Sequence, residues 1–358
     1  MVKVTQRVRY PPFEADRLIP AALPIAENTF DVEGSVAPPF KVGNEDGWLI
    51  ERLVDGDEYD LEFHGEEPLI IDQQRRGWYL LPHPIHGQAR KFINGSVIVL
   101  LLCLFYLFTA PLQESIGIPV FGTGEVRLGM LDYPVLALIV VPFMLTPIAL
   151  RIGANLGDLK RQNTFLNSAP IQPTVEFDNV SSGGVLKGKI TLSETREDWK
   201  DLTVTWRCGI LPPARHKLFA ALGMDVDSQP PPGLTTPLPH HWEKGLDDGT
   251  GMGEDAPMQR DDIPGGVFLR PMRIMSSGSS EKLTLEGGDF SLDSPDGDWP
   301  GSLYCGLIRV HWELILHIRR EKGGPLLWVA PIEVKHPETE VVNSNLIISD
   351  GRSESDSL

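Results

Sequence analysis

Residues able to do chemistry gather in a few short stretches of the chain, and the first is IRVHWELILHIRR, Ile308 to Arg320. His311 and Glu313 stand at i and i+2, a spacing from which two strand side chains can converge on a zinc ion. His317, roughly 20 Å farther along an extended chain, cannot join them. No H-x-H or C-x-x-C segment offers a third ligand, so no metal is expected there. His240 and His241 are adjacent in PHHWEKGLDDG and point apart. Asp247, Asp248, Asp261, Asp262, Asp293, Asp296 and Asp298 do not form the D-x-[DN]-x-[DN]-G calcium loop. Only DSPDGD, Asp293 to Asp298, brings three carboxylates near enough in sequence to converge in a tight turn. Gly249, Gly251 and Gly253 lie in an acidic loop that would repel phosphate, and the G-x-S-x-G, Walker, G-x-G-x-x-G and H-E-x-x-H patterns are absent. No catalytic, cofactor-binding or metal-binding residue is therefore assigned, and the chain is not expected to be an enzyme.

The element that carries His311 and Glu313 is a strand. Ile308, Val310, Trp312, Leu314, Leu316 and Ile318 recur at every second position, which a helix would scatter around its cylinder. The alternate positions, Arg309, His311, Glu313, Ile315 and His317, are expected on a solvated sheet face. At 3.3 Å per residue the strand runs about 40 Å, a length that suits a large sandwich. The same alternation recurs in VLKGKITLSE and in DLTVTWRCGIL, where Leu202, Val204, Trp206 and Cys208 share a face. SEKLTLEGGDFSL and PLLWVAPIEVK complete the set. Half a dozen strands joined by Gly, Asp and Pro turns predict an all-β antiparallel sandwich over residues 168–337. Residues 212–280 break the rhythm. ARHKLFAALGM reads as a short helix, and the Pro-, Gly- and Asp-rich remainder reads as a mobile insertion.

Two uncharged runs precede this region, FINGSVIVLLLCLFYLFTAPL (residues 92–112) and YPVLALIVVPFMLTPIAL (133–150). The shorter spans roughly 27 Å as a helix, close to the ~30 Å hydrocarbon core, so a two-helix transmembrane hairpin is expected over residues 91–152. Pro142 and Pro147 should kink the second helix. Arg75, Arg76, Arg90 and Lys91 precede the hairpin and Arg151, Lys160 and Arg161 follow it, which predicts a multi-pass protein with both termini cytoplasmic. Trp78 and Tyr79, in GWYLLPHPIHG, are expected at the headgroup level. The proline-studded residues 1–90 lack a sustained period and are expected to be poorly structured or small. Residues 338–358 read as a polar tail. MVKVTQRVRYPPFEAD has no apolar core of the signal-peptide kind. Three cysteines without paired spacing fit a reducing compartment, and a net charge of -17 argues against nucleic acid.

The series VEFDNVSSGGVLKGKITLSE, DLTVTWRCGIL, GGDFSLDSPDGDWPGSLYCGLIRVHWELILHIRR and APIEVK resembles the arrestin-like fold in the order of its strands. The family's Phe-bearing strand, Pro- and Gly-containing turn, long I.W.L strand and closing PI.V strand correspond to Phe290, Pro295, Pro300, Gly301, Ile308, Trp312, Leu314, Pro331, Ile332 and Val334. The resemblance covers roughly Pro170 to Lys335, a single domain where arrestins proper have two, and the charged phosphate-sensing core of the visual type finds no counterpart in the sequence. It implies a binding scaffold. The expected function is that of a membrane-anchored, non-catalytic adaptor or scaffold, with the lipid bilayer and a protein as partners and no cofactor. The alternatives are an accessory subunit of a membrane transporter or channel, and a membrane-bound enzyme whose site carries no motif.

Overall fold

The computed structural model describes residues 1–10, 19–65, 75–80, 85–122, 124–211, 213, 215–225, 228, 269, 272–322, 324–344 and 349–350. The chain is predominantly β and forms two units, Met1–Leu81 with Phe165–Leu358, and Pro82–Thr164.

The first unit begins where little order was expected. β1 (Val2–Arg9), β2 (Ala26–Val32), β3 (Phe40–Gly43) and β4 (Leu49–Asp55) join β18 (Val341–Asn343) in a sheet of order β18-β3-β4-β1-β2. The reason is a period of two in VKVTQRVRY: Val4, Gln6, Val8 and Tyr10 are all buried on one face, while Arg7 on the other face pairs with Glu51 and Glu45, each at 2.6 Å. Nor is the C-terminal region only a polar tail. β18 lies parallel to β3, with Val341 buried, and β19 (Ser349–Asp350) pairs with the start of β12 (Arg273–Leu283).

A larger sheet has the order β19-β12-β11-β15-β16-β5, with β11 at Trp199–Ile210, β15 at Ile308–Arg320, β16 at Leu326–Ile332 and β5 at Gly77–Leu80. β14 (Leu303–Cys305) pairs with β15 in addition. A third sheet, β13-β10-β8, is built from Gly287–Leu292, Leu186–Thr191 and Thr174–Phe177, and the short β9 (Val180–Ser181) and β17 (Val334–Lys335) run parallel. One hydrophobic core draws on all three sheets, with Val8, Phe40 and Ile50 from the first, Trp206, Trp312 and Leu314 from the second and Ile190, Phe290 and Leu292 from the third. Several antiparallel sheets around a shared core are consistent with a β-sandwich. The expected insertion is narrower than 212–280, because its last residues from Arg273 belong to β12. ARHKLFAALGM supplies the helix Arg215–Ala221, and residues 229–268 lie outside the described residues.

Trp78 and Tyr79 are not interface anchors. Both are fully buried in β5, which pairs with β16, and the Trp78 Nε1–H donates to the Ile171 carbonyl at 3.1 Å. Their aromatic rings fill the core of the β unit, 6.0 Å from Trp199 in the case of Trp78.

The second unit holds the long helix Ile85–Ser115 and all but the last three residues of a second, Val135–Asn167, joined through the hairpin of β6 (Glu125–Leu128) and β7 (Leu131–Pro134). Among the described residues one helix segment, Gly95–Ser115, is long and apolar enough to cross a membrane. Leu101, Leu102, Leu104, Phe105 and Phe108 are exposed along it. The second helix contains Pro142 and Pro147 and continues through Arg151, Asp158, Lys160 and Arg161 to Asn167, well beyond the apolar run.

Candidate functional site

The polar face of β15 is buried rather than solvated. His311 and Glu313 have no exposed surface, and Ile315 packs with Tyr79, Leu269, Leu327 and Val329 in a second apolar cluster. β15 is an interior strand between β11 and β16, and both of its faces are covered, so the alternate positions face a second core rather than water. Arg309 and His317 are half-buried, and His317 stays apart from His311, as its distance along the strand requires.

What makes burial of Glu313 possible is a ring of donors. Antiparallel register sets Arg207 of β11 directly opposite Glu313, and its Nε donates to Oε1 at 2.8 Å. Arg75, just before β5, donates from Nε to Oε2 at 2.8 Å and from Nη2 to Oε1 at 3.0 Å. His311 Nε2–H donates to Oε2 at 3.1 Å, because a carboxylate can only accept. His311 Nδ1 then accepts from the Tyr304 hydroxyl at 2.8 Å. Burial alone would raise the Glu313 pKa, but the charges of Arg75 and Arg207 and the hydrogen bonds from His311 and Arg75 hold it well below the usual carboxylate range. Burial lowers His311, against the opposing pull of Glu313, and keeps the imidazole neutral. Burial raises Tyr304, so its hydroxyl remains a donor. The chain Tyr304–His311–Glu313 with two guanidinium groups ties β14, β15, β11 and the approach to β5 through one carboxylate.

Tyr304 leads from this cluster to an open cleft of about 580 Å³. Its wall includes Phe30, Val32, Val36, Arg52, Phe63 and Cys305. The turn Gly306–Leu307 that positions Cys305 is held by Gln6, itself fully buried: Nε2 donates to the Cys305 carbonyl at 2.9 Å and Oε1 accepts from the Leu307 amide at 2.7 Å. Gly306 has φ +60, and a Cβ there would stand 2.3 Å from Gln6 Oε1, so only glycine fits. Arg52, on the core face of β4 beside Ile50, is 1% exposed.

The aspartates of DSPDGD hold a turn through their backbone. The Asp293 carbonyl accepts from Trp206 Nε1 at 2.7 Å and the Asp296 carbonyl from Trp299 Nε1 at 2.8 Å. Among the described residues no group of three His, Cys, Asp or Glu is placed to hold a metal ion. His240, His241, Asp247, Asp248, Gly249, Gly251, Gly253, Asp261 and Asp262 lie outside the described residues. Cys208 is buried and burial raises its thiol pKa, while Cys103 and Cys305 are partly exposed. Compared with known proteins, the chain matches no family model, no curated protein and no solved structure.

Proposed function

We propose that the chain is a membrane-anchored, non-catalytic adaptor, in which a β unit of arrestin-like type is held at the cytoplasmic face by a two-helix hairpin and binds a protein partner. The observation that carries the reading is the discontinuity of the β unit. The chain leaves it after β5, which is hydrogen-bonded to β16, and re-enters it at Phe165, which is buried in its core. Both ends of the helical segment therefore attach to one folded body on one side of any bilayer. If Gly95–Ser115 crosses, the chain must cross back before Phe165, and residues 133–150 are the one other uncharged run available for it. Arg90, Lys91, Arg151, Lys160 and Arg161 flank the two runs on the outer side and favour the cytoplasm for both ends. The arrestin-like reading rests on the order of the strand segments in the sequence between Pro170 and Lys335 and on the long Trp312-bearing strand.

Replacing residues 82–164 with a flexible linker of about twelve residues, long enough to bridge roughly 20 Å, tests this. The product should be soluble and β-rich, and it should retain whatever partner the full chain captures from membranes in mild detergent. Loss of that partner would assign binding to the helices and favour the accessory-subunit alternative. Reporter fusions at the two termini should both read cytoplasm and a tag near Gly117 the opposite side. Termini on opposite sides would overturn the hairpin.

A further inference from the structure

The cleft beside β4 is lined by an arginine, Arg52, whose charge has no carboxylate partner among the described residues. Arg52 is 1% exposed and its Nε donates to the Ala37 carbonyl at 3.3 Å, while its Nη1 has no hydrogen-bond partner among the described residues. Cys305 and His336 stand near it, and neither is a carboxylate. Burying a guanidinium without an opposing charge is unfavourable, and such groups are normally paired, as Arg75 and Arg207 are with Glu313. Two of the three acidic residues that line the same cleft are engaged elsewhere: Glu62 pairs with Lys335, and the Asp60 carboxylate accepts from the Glu62 amide at 3.0 Å. The buried Arg52, with its Nη1 unpartnered, thus lines a cleft that has an apolar wall of Phe30, Val32, Val36 and Phe63 and also includes Glu33, Asp60, Glu62 and Lys217.

We propose that this cleft is a binding site for a small monocarboxylate with an apolar body, its carboxylate taken by Arg52. A planar carboxylate matches the guanidinium fork. The apolar wall takes the body of the ligand, and about 580 Å³ lies within the range of small-molecule pockets. Glu33, Asp60 and Glu62 line the same cleft, with Lys217 as a second cation beside Arg52, so a singly charged carboxylate meets less repulsion there than a phosphate dianion. This site is independent of the adaptor reading, since it stands on the cleft alone.

The test uses the full chain in neutral detergent with three probes: 3-phenylpropionate, its amide and inorganic phosphate. The acid should raise the unfolding temperature and slow alkylation of Cys305 by iodoacetamide, located by peptide mass spectrometry. It should bind about tenfold or more tightly than the amide, which lacks the charge-assisted contact. Arg52→Met should remove that preference and raise the unfolding temperature of the unliganded protein, because it takes away an unpaired buried charge. A purely structural arginine would give the opposite sign. Equal binding of acid and amide, equal or tighter binding of phosphate, or no effect of the acid at millimolar concentration would each overturn the proposal. The acid–amide comparison needs no variant, so it decides the matter even where Arg52→Met does not fold.

Discussion

Glu313→Gln is the sharpest perturbation of the buried cluster, because it changes one charge and almost no volume. The carboxylate accepts from Arg75 Nε and Nη2, Arg207 Nε and His311 Nε2, and the Arg207 Nη2 stands 2.6 Å from it. A glutamine keeps one accepting oxygen and turns an NH₂ group toward these donors, so the guanidinium groups lose their shared counter-charge inside the core. Breaking one side of a buried ion pair destabilises by about 3–5 kcal/mol, against about half a kcal/mol for a polar residue on a solvated face. Urea unfolding of the full chain in neutral detergent, followed by tryptophan fluorescence, reads the difference. Trp206 and Trp312, with ring centroids 5.1 Å apart in the core, report loss of packing directly. Replacing the charges together, as Glu313→Leu with Arg75→Met and Arg207→Met, should recover much of the loss, since an apolar substitute avoids desolvating any of them. A Glu313→Gln protein within about 1 kcal/mol of the parent would refute the idea that this carboxylate organises the sheet. So would a triple variant less stable than the single one.

Two further outcomes follow from the same core. Trp312→Ala should cost about 3–5 kcal/mol and unfold much of the β unit, because the ring is fully buried against Trp206 and its Nε1 donates to the Pro300 carbonyl; a fluorescence-monitored melt checks it. Stability should also fall steadily on acidification. Burial pushes the His336 imidazole down to about 4 and lowers His311, whereas both titrate near 6.5 when unfolded, so below about pH 6.5 the unfolded chain binds more protons. For His336 the loss between about pH 6.5 and about pH 4 is on the order of 3 kcal/mol. Glu313 acts in the same direction at lower pH, its contribution being present above the unfolded carboxyl value and lost as pH falls toward its depressed folded one. Urea midpoints at about pH 7.5, 6 and 5 that do not fall would contradict the burial of these histidines.

The alternation of IRVHWELILHIRR placed Ile308, Val310, Trp312, Leu314, Leu316 and Ile318 on one buried face, and all six are core residues. The same pattern could not say what covers the other face. A period of two assigns residues to sides, while coverage depends on strands distant in sequence, here on Arg75 before β5 and Tyr304 of β14. The signal for a buried pair lay in two strands read together. Arg207 is flanked by the inward Trp206 and Cys208, so it shares the opposite face with Glu313 once β11 and β15 are paired antiparallel. The N-terminal sheet carried a local signal too, in Val4, Gln6, Val8 and Tyr10. Gln6 interrupts the apolar run because its amide holds the Cys305–Leu307 turn, a partner some 300 residues away that no local reading supplies. Arg52 is hidden for the same reason, since a charged residue in RLVDGDEYD looks solvated until β4 takes its place between β3 and β1 with Arg52 on the core side. In each case the residue that departs from the apolar pattern points at a long-range contact. In this chain those departures, Gln6, Arg52, Arg75, Arg207 and Glu313, mark the ionic cluster and the cleft that the strand pattern left out.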